Sequence, residues 1–132
     1  MNNINVLALA YLGDAIYEFE IRKFLIEKNI SKVQQLQNES IKYVSAVNQA
    51  KYLKEMIEKK FFTDEELNVI LRARNHKSHK SKSTDIVTYK YSTALEAVIG
   101  YLYYQKNNKR IEEIMKYIKG VWKCIYMEKM LL

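Results

Sequence analysis

Proline is absent from these 132 residues, glycine occurs three times and cysteine once. With so few turn formers and no Gly/Ser-rich stretch, nothing marks a linker, and one domain over residues 1–132 is expected. Cys124 stands alone, without the second Cys or nearby His that a disulfide or zinc site requires, and reads as a buried thiol. No apolar run reaches the roughly 18–20 residues of a membrane-spanning helix. The first ten residues have no basic segment leading into a cleavable apolar one, so a cytoplasmic location with no membrane partner is expected.

What is present is hydrophobic residues at 48%, charged residues at 28% and a net charge of +7. The charge is unevenly spread. Residues 1–66 hold nine Lys/Arg against ten Asp/Glu, and residues 67–132 hold thirteen against five, giving −1 and +8. A basic half favours a polyanionic partner, nucleic acid ahead of membrane. A general bias of composition toward Lys and Asn explains the total but accounts less well for the clustering.

Apolar residues recur at helical spacing almost throughout, which predicts an all-α fold of five to seven helices without repeats. A first helix over about residues 4–29 carries Leu7, Tyr11, Ala15, Phe19 and Leu25 or Ile26 as one stripe. A helical region from Ser31 to Lys60 is expected to break near Asn38–Ser40. Thr63-Asp64-Glu65-Glu66 is a capping box that starts a helix reaching about Arg74. A polar loop follows over residues 75–84, and the helical pattern resumes near Ser92. Ile86–Tyr89 has the composition of a short strand, but an isolated strand has no partner here. A last helix runs from Lys109 to the end.

Two acids interrupt apolar, small-residue surroundings: Asp14 in Leu12-Gly13-Asp14-Ala15, and Glu96 in Thr93-Ala94-Leu95-Glu96-Ala97-Val98-Ile99-Gly100. Such carboxylates are costly apart and sensible together around a hard divalent cation, which takes oxygen ligands and keeps several waters. Each acid also has a simpler reading. Asp14 could face solvent in a ridge with Glu18, and Thr93-x-x-Glu96 fits a capping box; the pattern by itself leaves both pairs of readings open.

From Leu67 to Thr84 there is no acid, while Arg72, Arg74, Asn75, Lys77, Ser78, Lys80 and Lys82 crowd together. Cations and short polar donors of this kind suit a phosphate backbone and 2′-hydroxyls; the competing reading is a plain solvated loop. His76 and His79 are poor acid–base candidates, three apart with nothing to orient them. Of the eleven tyrosines most are expected to pack, and Tyr89 and Tyr91 stand nearest the loop as substrate contacts.

The stretch from Leu9 to Glu18, LAYLGDAIYE, resembles the signature helix of the ribonuclease III catalytic domain, particularly its short Mini-III branch. Three further blocks resemble that branch in the same order: Tyr43-Val44-Ser45-Ala46 with Gln49-Ala50, then Arg74–Ser78, then Thr84-Asp85 and Thr88–Tyr103. The resemblance implies an all-α endonuclease domain that forms a homodimer and hydrolyses double-stranded RNA with Mg²⁺, or Mn²⁺ in its place, leaving 5′-phosphate and 3′-hydroxyl ends. It implies large-subunit ribosomal RNA precursor as substrate, and no appended double-stranded-RNA-binding domain is expected in a chain ending at Leu132.

By the same resemblance, Asp14 and Glu96 are the metal-holding catalytic acids; with no appended RNA-binding domain, affinity falls to the catalytic domain itself, which gives the basic loop, with Tyr89 and Lys90, a reason to contact RNA. The family pattern has two further acids, where this chain has Ala10 and Thr93. Glu18, one turn after Asp14, is a speculative substitute. These departures give weight to one alternative, an RNA-binding or ribosome-associated module of the same fold without catalysis; a further alternative is a purely structural helical interaction protein.

Overall fold

A computed structural model describes residues 4–76 and 85–131, with side chains through residue 120. The expectations for Lys77, Ser78, His79, Lys80 and Lys82, and for the Cys124 thiol, lie outside these described residues. The described residues form six helices: α1 (Val6–Glu27), α2 (Val33–Val44), α3 (Ala46–Glu58), α4 (Asp64–Asn75), α5 (Ile86–Tyr104) and α6 (Asn108–Leu131). Helix α5 is the axis, with α1, α3, α4 and α6 packed against it. Its burial from Ser92 to Gly100 is nearly continuous, as expected for a helix apolar on all sides.

Local signals explain several boundaries. Thr63 Oγ1 accepts from the Glu66 amide at 3.2 Å and Glu66 Oε1 accepts from the Thr63 amide at 2.9 Å, closing the predicted capping box. Asp85 caps α5 by accepting from the Thr88 amide at 2.9 Å. That cap makes Ile86–Tyr89 helical and starts α5 well before Ser92, which excludes both the strand and a capping role for Thr93.

The break expected at Asn38–Ser40 lies instead at Ser45. Within α2 the polar side chains are absorbed on the helix surface: Gln34 donates to Asn38 at 3.2 Å and Ser40 donates to the Gln37 carbonyl at 2.8 Å. The end of α2 is a tertiary matter. Tyr17 and Tyr52, both buried, donate their hydroxyls to the carbonyls of Tyr43 (2.5 Å) and Lys42 respectively, satisfying groups that a helix C-terminus leaves unpaired. Ser45 then caps α3 by accepting from the Asn48 amide at 3.3 Å.

The stripe predicted on α1 is also revised. The buried face is Val6, Leu9, Ala10, Gly13, Tyr17, Ile21 and Leu25, whereas Tyr11 is 85% exposed and Phe19 62%. What selects this face is glycine. A Cβ on Gly13 would lie 1.7 Å from the Glu96 carbonyl oxygen, and one on Gly100 would lie 2.0 Å from that of Leu9. The two helices therefore touch backbone to backbone at two points. The turn positions that usually take glycine are filled by other residues: Asn29, Lys60 and Lys106, just beyond α1, α3 and α5, have φ of 65°, 55° and 58°.

Gly13→Ala and Gly100→Ala should each cost at or beyond the upper end of the roughly 1–3 kcal/mol typical of overpacking. Gly120, where an added Cβ meets nothing within 4 Å, should instead gain up to about 1 kcal/mol on conversion to Ala. Chemical denaturation of the three variants checks the contrast.

Candidate active site and nucleic-acid interface

The Gly13 contact brings the next residue, Asp14, beside Glu96, whose own carbonyl is what Gly13 meets. Asp14 is exposed and Glu96 half-buried, so the pair opens to solvent at the edge of the α1–α5 crossing. Burial pushes the Glu96 carboxyl up to about 9, and a hydrogen bond with Asp14 and its negative charge push the same way. A bond from Gln49 opposes these effects, and Glu18 adds a smaller upward push. Among the described residues no Lys or Arg forms an ion pair with Asp14 or Glu96. Glu18 is paired with Arg22 at 3.1 Å.

Two adjoining carboxyls, one partly desolvated and neither neutralised by a basic side chain among the described residues, form a donor set that fits a hard divalent cation with several waters retained. Among the described residues no group of three or more His, Cys, Asp or Glu is assembled as a metal site. The positions that lack an acid explain this count: Ala10 is 5% exposed and Thr93 7%, both inside the helix packing.

The sequence pattern of the Ribonuclease III domain matches residues 7–107, a span that contains both acids and both glycine contacts. The chain belongs to the ribonuclease III family. Within this family of endoribonucleases it is similar to the Mini-ribonuclease 3 of Staphylococcus aureus, 46% identical over 116 residues that cover 87% of each chain. The Mini-ribonuclease 3 of Streptococcus pneumoniae is 43% identical over 118 residues, covering 89% of this chain and 92% of that one. The crystal structure of a protein from Fusobacterium nucleatum has a TM-score of 0.81 at 31% identity, covering 89% of this chain and 95% of that chain.

The basic cluster predicted for RNA is only partly together. Arg72 and Arg74 lie two apart on α4, about 200° around a helix, and face different neighbours. Arg74 stacks on the Tyr91 ring at 4.4 Å, and Lys54 covers the same ring at 4.7 Å. Arg72 lines a cavity of about 450 Å³ with Asp64, Glu65, Asn68, Tyr101 and Tyr104, which contains neither Asp14 nor Glu96. Asn75 is exposed, Tyr89 and Lys90 half-exposed, and the Nδ1 of His76 is buried without a hydrogen-bond partner among the described residues.

Three residues near these sites escaped sequence reasoning. Lys54 joins the basic group at Tyr91, and Gln49 and Ser92 join the acids. Gln49 carried a usable signal, as a polar side chain on the face of α3 that also holds Ala50, Leu53 and Met56.

A folded-state value of about 9 for Glu96 lies above its ordinary 4.5, so between these values the folded protein holds a proton that the unfolded chain has released. The resulting stability is fully present below pH 4.5 and is lost as pH rises through about 9. Thermal midpoints in EDTA should therefore decline across that window, with a flatter decline for Glu96→Gln.

Proposed function

We propose that this chain is a metal-dependent endoribonuclease that cuts double-stranded RNA as a homodimer in the cytoplasm. The observation that carries the reading is the Asp14–Glu96 pair: two carboxyls in contact, open to solvent, with no basic partner among the described residues. Asp14 and Glu96 would hold Mg²⁺, with Mn²⁺ as a substitute. When bound, the ion supplies an activated water and charge stabilisation at the phosphate, cleavage leaving 5′-phosphate and 3′-hydroxyl ends.

The protein's own part is positional. Helix α1 presents Asp14 outward to the substrate, while α5 keeps Glu96 partly out of water, where its interaction with charge is stronger. Cations at the end of α4 and the start of the following segment, Arg72, Arg74, Lys77, Lys80 and Lys82, with Asn75, Ser78, Tyr89 and Lys90, would meet the RNA backbone. By the resemblance of its sequence blocks to the Mini-III branch, its substrate would be a ribosomal RNA precursor. Residues 1–132 would then act as one catalytic domain.

The exposed face of α1 supports the homodimer. Tyr11, Ala15 and Phe19 recur every four residues on one side of the helix, on either side of Asp14 in sequence. Covering that face with a second copy would remove two large aromatics from water and bring two acid pairs into one particle, one for each RNA strand. The buried Ala10 and Thr93 favour the second reading, an RNA-binding module of this fold without catalysis.

Incubation with a long RNA duplex, with and without Mg²⁺, separates the two readings. Cleavage should require Mg²⁺ and be abolished in Asp14→Asn and Glu96→Gln, with RNA binding kept; a variant that cuts near the wild-type rate would refute these roles. Neutralising Lys77, Lys80 and Lys82 should flatten the salt dependence of binding by about one log–log unit per lost phosphate contact. Sedimentation velocity should find a dimer that Tyr11→Lys with Phe19→Glu converts to monomer.

A further inference from the structure

We propose that Gln49 is the positioning residue of the acid pair: its side-chain amide, held in one orientation by Ser92, keeps the Glu96 carboxyl against Asp14 in readiness for a divalent cation. The inference rests on the reading of that pair as a metal site. Gln49 is 2% exposed and Ser92 6%, so both side chains are largely withheld from water. The Ser92 hydroxyl donates to the Gln49 carbonyl oxygen. That bond holds the amide oxygen at Ser92, and a reversed amide would set that oxygen against the oxygens of an ionised Glu96. The NH₂ end is thereby left toward Glu96, one turn along α5 from Ser92, where it favours the charged carboxyl.

Ser92 and Glu96 are one turn apart on α5, so a single residue of α3 grips the same helix face at two points. The break at Ser45 is what puts Gln49 in the first turns of α3, across from that face. With Ala10 and Thr93 in place of acids, no further carboxylate restrains Glu96 from those positions. A neutral donor on a second helix can fix its rotamer without adding charge, and hydrogen-bonding partners of this kind commonly set the affinity of a metal site.

The test is calorimetric titration of Mn²⁺ into the RNA-free protein, run beside duplex cleavage and thermal unfolding. Gln49→Met keeps the length of the side chain and removes both polar ends. It should weaken Mn²⁺ binding about 10- to 100-fold and lower cleavage at limiting Mg²⁺, with recovery at higher Mg²⁺. Ser92→Ala, which frees the amide to turn, should weaken Mn²⁺ binding by a smaller factor, and the double variant should be no weaker than Gln49→Met.

Wild-type Mn²⁺ affinity in both single variants would overturn the proposal. If Gln49→Met fails to unfold cooperatively, Ser92→Ala decides alone: weaker Mn²⁺ binding supports the proposal and unchanged binding overturns it. Failure of the underlying metal-site reading has its own signature, an Asp14→Asn variant that binds Mn²⁺ as the wild type does, and the proposal falls with it.

Discussion

Backbone contact between α1 and α5, made at Gly13 against Glu96 and at Gly100 against Leu9, is the constraint from which the rest of the structure follows. Helix axes usually lie about 8–10 Å apart because side chains intervene. At two glycines nothing intervenes. The close approach selects Val6, Leu9, Ala10, Tyr17, Ile21 and Leu25 as the inner face of α1, and leaves Tyr11 and Phe19 outside. It also brings the side chain that follows Gly13 beside Glu96. One contact thus decides both the packing and the chemistry, in a chain that places other residues at its left-handed turns.

The acid pair is maintained against its own electrostatics. Burial and Asp14 disfavour charge on Glu96, and Glu18 adds to that, while the Gln49 amide supports it. Elsewhere the same kind of burial is compensated fully: Glu66, 3% exposed, accepts from Arg110 at 2.9 and 3.0 Å, and despite burial its carboxyl is held below the usual range by Arg110 and Thr63. The contrast is instructive. Glu66 is a paired structural acid between α4 and α6, and Glu96 has an acid where Glu66 has a guanidinium. A half-buried carboxyl facing another acid is stable as a shared proton or around a cation, and the proposed nuclease activity calls for the latter.

How much of this was legible in the sequence depended on the range of the interaction. The Thr63–Glu66 capping box spans four residues and was readable as a motif. The two acids were readable because charge inside an apolar helical run is costly, and that cost points to a partner even before the partner is known. The end of α2 was not, since Tyr17 and Tyr52 fix it from distant parts of the chain and Asn38 and Ser40 are as comfortable on a helix surface as at a break. The face of α1 was misassigned for a related reason: with Leu, Tyr, Ile and Phe on several sides, periodicity offers more than one stripe, and only the glycine contact chooses between them. Gln49 was legible as a polar side chain on an apolar face of α3, but its neighbours Ser92 and Glu96 come from a distant part of the chain that no local pattern connects to it.

The central claim, that the glycine contact creates a cation site from Asp14 and Glu96, is tested most directly by paramagnetic broadening in the RNA-free protein. Substoichiometric Mn²⁺ should broaden backbone amide NMR signals around residues 12–16 and 94–98 first. Broadening that begins instead around Asp64 and Glu65, the acids of the separate cavity, would contradict it.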